Sequence, residues 1–235
     1  MKSAVFTAIL VSLAALPGAS HAQSTRGQER VVATSESFLA SHPDLRFRLQ
    51  GLDAVNNGRP EQAVALFRRA ARYADKPSQS MLGEMHWTGV GVPLDRVLGY
   101  IWMDVAAERG FPLMVAKRES YWSQLSPEER VRARETGVAV MDEFGDAAAK
   151  PRIEKILLRA KRNVTGSRVG NVGNLVIQIP TPTGFREVSG DDYYDRKFWE
   201  PERYFQWQDQ DWVQPQGTVD VGDVEAAPAK AAEQD

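Results

Sequence analysis

The chain contains no cysteine. That absence excludes disulfide staples, thiolate metal sites, a cysteine nucleophile and a diacylated lipoprotein anchor together. A fold without staples must instead bury apolar surface, and 235 residues suffice for one elongated domain or two small ones. Histidine is scarce too, at three residues, and neither an H-E-x-x-H run nor a calcium-loop pattern occurs. No metal site is expected. A surplus of positive charge is also missing, with 29 basic against 31 acidic side chains and a net charge of −2, so nucleic acid is not an expected partner. The short runs Arg68-Arg69 and Arg159-Ala160-Lys161-Arg162 read as solvated helix faces. No segment after the N-terminus approaches the roughly 20 apolar residues of a membrane-spanning helix.

Recognisable catalytic patterns are missing as well. There is no G-x-S-x-G nucleophile elbow, and Gly89-Val90-Gly91 lacks the third glycine or the lysine of a phosphate cradle. Carboxylates are plentiful but no motif organises a pair of them. The expectation is a protein without catalytic residues or cofactor, which is not an enzyme.

What is present begins with an export signal. Lys2 supplies a positive start, Ala4 through Leu16 an apolar run, and Ser20-His21-Ala22 a small-x-small cleavage site after Pro17-Gly18. Residues 1–22 are expected to be a signal peptide cleaved after Ala22, which places the mature protein in the periplasm or outside the cell. An uncleaved membrane anchor is the alternative, and the run is short for it.

The strongest internal signal is a repeat. Ala63, Leu66, Ala70 and Ala71 recur as Gly99, Trp102, Ala106 and Ala107, each pair 36 residues apart. Each set lies at i, i+3, i+7, i+8, one stripe of a helix. Matching stripes at a fixed period mark stacked units, because one helical hairpin cannot bury its own apolar face. Upstream, Leu45, Leu49, Leu52 and Val55 keep helical spacing before Asn56-Asn57-Gly58 and Pro60, and Leu82, Met85 and His86 do so before Gly89-Val90-Gly91 and Pro93. Both units read helix, glycine turn, helix. A degenerate third unit follows. Its first helix spans Leu113 to Leu125, and Ser126-Pro127-Glu128-Glu129 is a capping box opening a helix that carries Val131, Arg134, Val138, Met141 and Phe144 in one stripe.

The second unit, with Leu82-Gly83, Trp87, Gly89-Val90-Gly91, Asp95, Gly99, Trp102, Ala106-Ala107 and Gly110, resembles a Sel-one-like repeat (SLR), a relative of the tetratricopeptide repeat. His86 stands where that family usually places tyrosine, and Gly99 where it usually has alanine. The resemblance implies an all-α, tetratricopeptide-like α-α solenoid of about three hairpins that acts as a protein-binding adaptor. Glycine inside a helix costs roughly 0.5–1 kcal/mol relative to alanine, so Gly83 and Gly99 are expected to face each other where the two helices cross closely.

The chain divides into a signal peptide (1–22), an N-terminal lead (23–42), the repeats (43–146), a helix (147–163), an aromatic-rich segment (164–216) and a disordered tail (217–235). Within the aromatic-rich segment, Leu175 to Ile179 reads as a strand paired with Phe185 to Val188. Eight aromatic side chains crowd between Tyr193 and Trp212. Either rings such as Trp199, Tyr204 and Trp207 form a platform that stacks on glycan or grips a partner, or the segment folds back and seals an end of the solenoid; the second is favoured, since an uncapped repeat end is insoluble. Glu84 and Trp87, beside the interface residue His86, are the binding candidates within the repeat; Trp87 is read equally as partly buried packing. The expected partners are envelope proteins, with glycan or peptidoglycan as the alternative.

Overall fold

The computed structural model of the chain describes residues 27–164, 175–181 and 184–213. The signal segment with its cleavage site at Ala22, the stretch 165–174 and the expected tail 217–235 lie outside the described residues. Two short helices, α1 (27–34) and α2 (Glu36–Ser41), lead into α3 (Pro43–Asn56), α4 (Pro60–Ala71), α5 (Lys76–Thr88) and α6 (Arg96–Ala106), which ends in a 3-10 turn, Ala107–Arg109. Then come α7 (Pro112–Gln124), α8 (Pro127–Phe144), α9 (Asp146–Val164), strands β1 (Val176–Thr181) and β2 (Gly184–Ser189), and α10 (Gly190–Tyr193), α11 (Arg196–Trp199) and α12 (Pro201–Val213). Among the described residues the architecture is an α-helical array with one antiparallel hairpin, in which Ile177 faces Val188 and Ile179 faces Arg186.

Local chemistry explains the boundaries. Pro43 and Pro60 stand at the first position of α3 and α4, where a missing N–H costs nothing. Asp75 and Asp95 cap α5 and α6, accepting from the amides of Ser78 and Leu98 at 3.0 Å each. The reciprocal capping box of Ser126 and Glu129 starts α8 as expected. Gly89 ends α5 at φ 75°, a left-handed conformation that glycine adopts without a steric penalty. Gly91 shares that φ, and a Cβ there would lie 2.6 Å from the Pro60 carbonyl carbon, so the turn of the second unit packs onto the start of α4.

The two regular hairpins are α3–α4 and α5–α6. Gly83 and Gly99 face each other at the second crossing: a Cβ on Gly83 would stand 3.1 Å from the Gly99 carbonyl oxygen, and one on Gly99 2.8 Å from the Trp87 amide nitrogen. In the first hairpin the close approach is Gly51 against the Phe67 ring, where a Cβ would come within 2.6 Å. Ala63, Ala70, Ala71, Trp102, Ala106 and Ala107 are all buried, and Leu66 is half-buried. The expected stripe of α3 is split. Leu45 is buried, but the face turned to α4 is Phe47, Gly51 and Ala54, while Leu52 and Val55 point to solvent.

The third pair departs from a regular hairpin. Both α7 and α8 pack on α6, and α8 runs back over the outer helices. Gly137 lies over Ile101, Phe144 packs edge-on against Trp102 at 4.7 Å, and Glu143 pairs with Arg72 of α4 at 2.7 Å. Its buried positions are Ala133 and Phe144, whereas Val131 (47%) and Val138 (61%) are exposed, contrary to the stripe expected for this helix. The α7–α8 link explains the path: Leu125 and Ser126 are extended and no glycine is present to reverse the chain tightly. Helix α9 begins at Asp146, five residues before Pro151, which sits inside it without a backbone donor.

The aromatic C-terminal segment closes the N-terminal end of the array. Val32, Phe38 and Leu45 share one core with Ala149, Ile153 and Leu157 of α9, Ile179 and Val188 of the hairpin, and Tyr193, Phe198, Trp199, Tyr204 and Phe205.

Candidate functional site: a groove walled by the last helix

Helix α12 lies across the starts of α3 and α7 and the 3-10 turn that follows α6. Tyr204 donates to Asp44 Oδ2 at 2.6 Å near the start of α3, and Gln208 Nε2 reaches the same oxygen at 2.6 Å. Asp209 pairs with Arg109 at 2.8 Å, and Trp212 packs on the cluster around Phe111 and Met114 at the start of α7. Between α12 and the repeat helices lies a groove of about 580 Å³. Arg48 and Leu52 of α3 form one wall and Trp207 and Trp212 the other; Pro77, Ser80 and Met81 of α5 line the floor, and Leu113 of α7 closes one end. Positions 48 and 52, and 77, 80 and 81, follow the helical repeat. They are the residues left over when the opposite faces of α3 and α5 are spent on their hairpins. Leu113 is 65% exposed and Leu52 39%, an apolar surface whose desolvation favours association at roughly 25 cal/mol per Å² buried.

Buried charge fixes the wall. Arg48 donates to Asp75 at 2.9 Å and to Gln208 Oε1 at 3.3 Å. Lys76, 1% exposed, donates to Glu108 at 2.7 Å, to Asp146 at 3.0 Å and to the Val105 carbonyl at 2.8 Å. Burial lowers the Lys76 pKa against the pull of Asp146 and Glu108. Burial opposes ionisation of Asp146 as well, yet Arg109 and Lys76 hold its carboxyl well below the usual carboxylate range. Arg109 joins three elements, reaching Asp146 at 2.7 and 3.0 Å, Asp209, and the carbonyl of Ala74 at 3.0 Å. This network orders the groove and leaves its apolar lining as the surface open to a ligand.

The residues singled out from sequence fall into different places. Glu84 is half-buried, does not line the groove, and pairs with Lys117 of α7. Trp87 is half-buried, stacked on Tyr121 at 3.8 Å with an interplanar angle of 3°, and capped by Arg96 at 5.4 Å. It joins α5 to α7. Burial, with Glu84 nearby, pushes the Tyr121 phenol up. Trp199 is buried and donates through Nε1 to the Tyr193 carbonyl at 2.8 Å, and Tyr204 is fully buried. Those two rings are occupied by packing, which corrects the view of them as an open platform. Trp207 alone of the three reaches the groove. The structure therefore does not bring the five candidates together. Sequence reasoning missed Arg48, Leu52, Met81, Leu113 and Trp212; the available signal was the second i, i+4 stripe on α3 and α5, and the helical spacing of Tyr204, Trp207, Gln208 and Trp212.

Among the described residues no helix is long and apolar enough to cross a membrane, and no group of three or more metal-ligating side chains is assembled. No family model and no curated protein matches the chain. Among solved structures, the chain is similar to a protective antigen present in uropathogenic Escherichia coli strains, described as displaying an SLR fold, at 23% identity and a TM-score of 0.42. The match covers 49% of this chain and 26% of the antigen, so the chain spans about a quarter of that protein's length.

Proposed function

We propose that this protein is an exported interaction scaffold, with no catalytic activity of its own, whose groove holds an apolar segment of a cell-envelope protein. The observation that carries the reading is the groove itself, an apolar lining of exposed Leu52 and Leu113 with half-buried Met81 opposite two indoles, held open by walls that buried ion pairs lock in place. A preformed surface of this kind binds with little ordering cost, and tryptophan is enriched where binding energy concentrates. At roughly 580 Å³ the groove takes a few large side chains, which suits one face of a helix or a short extended segment. Export rests on the sequence of residues 1–22, whose charged start, apolar run and cleavage site have the form of a secretory signal.

The test is to substitute Leu113→Glu in the mature protein and compare envelope partners recovered by crosslinking and mass spectrometry. Loss of one stoichiometric protein, with the melting temperature unchanged, supports the reading; unchanged recovery contradicts it. A second reading, glycan or peptidoglycan binding, draws on Trp207 and Trp212 lining the same wall beside Gln208 and Arg48. It predicts that the protein sediments with purified cell-wall polysaccharide and that Trp212→Ala abolishes this.

A further inference from the structure

His42 is fully buried at the junction of α2 and α3, and both of its ring nitrogens meet backbone carbonyls. Nδ1 is 2.7 Å from the Phe38 oxygen, one turn back in α2. Nε2 is 2.9 Å from the Phe198 oxygen, 156 residues later in α11. A neutral imidazole has one N–H to give, so one carbonyl is satisfied and the other faces a lone pair. A second proton would satisfy both but would place a charge among rings. Phe38 stacks on His42 at 3.7 Å with 4° between the planes, Trp199 meets it edge-on at 5.0 Å, and Tyr204 lies at 5.1 Å.

The ionisable neighbours are Asp44 of α3 and Tyr204 of α12, with Arg48 and Asp75 beyond Asp44. The packed residues of α2 and α11, Phe38, Phe198 and Trp199, carry no charge. Asp44 would favour an imidazolium; its Oδ2 accepts from Tyr204 and Gln208, and its buried Oδ1 has no hydrogen-bond partner among the described residues. Burial outweighs that attraction and the two carbonyls, and lowers the His42 pKa below the ordinary imidazole value of 6.5.

We propose that His42 is a proton-operated latch, and that protonating it releases α11 and α12 from the N-terminal helices while the α5–α6 hairpin stays folded. The undocked state binds the proton more readily than the docked one. Docking is therefore strongest above pH 6.5 and weakens as pH falls toward the folded-state value. Because α12 walls the groove, acidification would also open the binding surface; that consequence alone rests on the function proposed above.

The test is a solution NMR titration of the full chain from about pH 7.5 to about pH 5. It follows the His42 ring resonance together with amide exchange corrected for its intrinsic pH dependence. The expected result is that His42 titrates below 6.5 and that protection in α11 and α12 falls by up to about tenfold per pH unit across that window, while any fall in α5 and α6 is removed by His86→Gln. His42→Gln should flatten the α11–α12 profile. His86→Gln should leave it intact, although burial lowers the His86 pKa too, because His86 lies on α5. Titration of the wild-type ring at or above 6.5, or undiminished α11–α12 protection as it titrates, overturns the latch without recourse to any variant. A partner screen that fails while this titration behaves as expected would count against the groove and not against the latch.

Discussion

Asp209 accepts a hydrogen bond from Arg109 Nη1 at 2.8 Å, joining the last helix to the end of the second repeat across 100 residues of sequence. The same guanidinium holds Asp146 at the start of α9 through two further bonds. One side chain therefore ties both α12 and α9 to the end of the second repeat. Asp209→Ala should cost about 1.5–3 kcal/mol, the worth of a hydrogen bond to a charged group. Chemical denaturation checks the loss, and accelerated amide exchange in α12 should accompany it.

Asp146 is the carboxylate on which Lys76 and Arg109 converge. Its pKa is lowered on folding, so its stabilisation is fully present above the unfolded value near 3.8 and is lost as pH falls below it. Asp146→Asn should destabilise by about 3 kcal/mol at neutral pH, because Lys76 is left buried with Glu108 as its remaining carboxylate. It should also flatten the acid limb of the melting-temperature profile. A wild-type slope retained in the variant would assign acid sensitivity elsewhere.

The Gly83–Gly99 crossing admits no side chain without backbone movement, since the nearest atoms on each side belong largely to the opposing main chain. Gly99→Ala should destabilise by about 1–3 kcal/mol and Gly83→Leu by more, as expected for overpacking. Equilibrium unfolding of the two variants is the check.

Packing and binding roles separate between Trp199 of α11 and Leu113 of α7. Trp199→Ala should cost about 3–5 kcal/mol, the usual range for emptying a buried indole site. Leu113→Glu, at a largely exposed position, should leave stability within about 0.5 kcal/mol. Thermal melts of both, run beside the partner assay, show whether any binding loss is local.

Sequence made the repeat legible because its signals are local. The 36-residue register of Ala63 and Gly99, the glycines of the second unit, and the Ser126–Glu129 box each depend on contacts within a hairpin or a single turn. The face of α8 was read wrongly from Val131 and Val138 because which side of that helix is covered depends on α4 and α6, not on its own periodicity. The groove was hidden for a related reason. Leu52 and Leu113 look like core residues in the sequence, and only the placement of α12 gives them a shared surface. That placement is set by Asp44 with Tyr204 and Arg109 with Asp209, pairs separated by 160 and 100 residues.

The most direct measurement is site-specific photocrosslinking in the mature protein, with the reactive side chain at Leu113 inside the groove and, in parallel, at Val138, an exposed position of α8 beside α6 and away from the groove. A single envelope protein captured from Leu113 and absent from Val138 is the result this account predicts. Capture from both positions alike, or from Val138 only, would contradict a groove that binds.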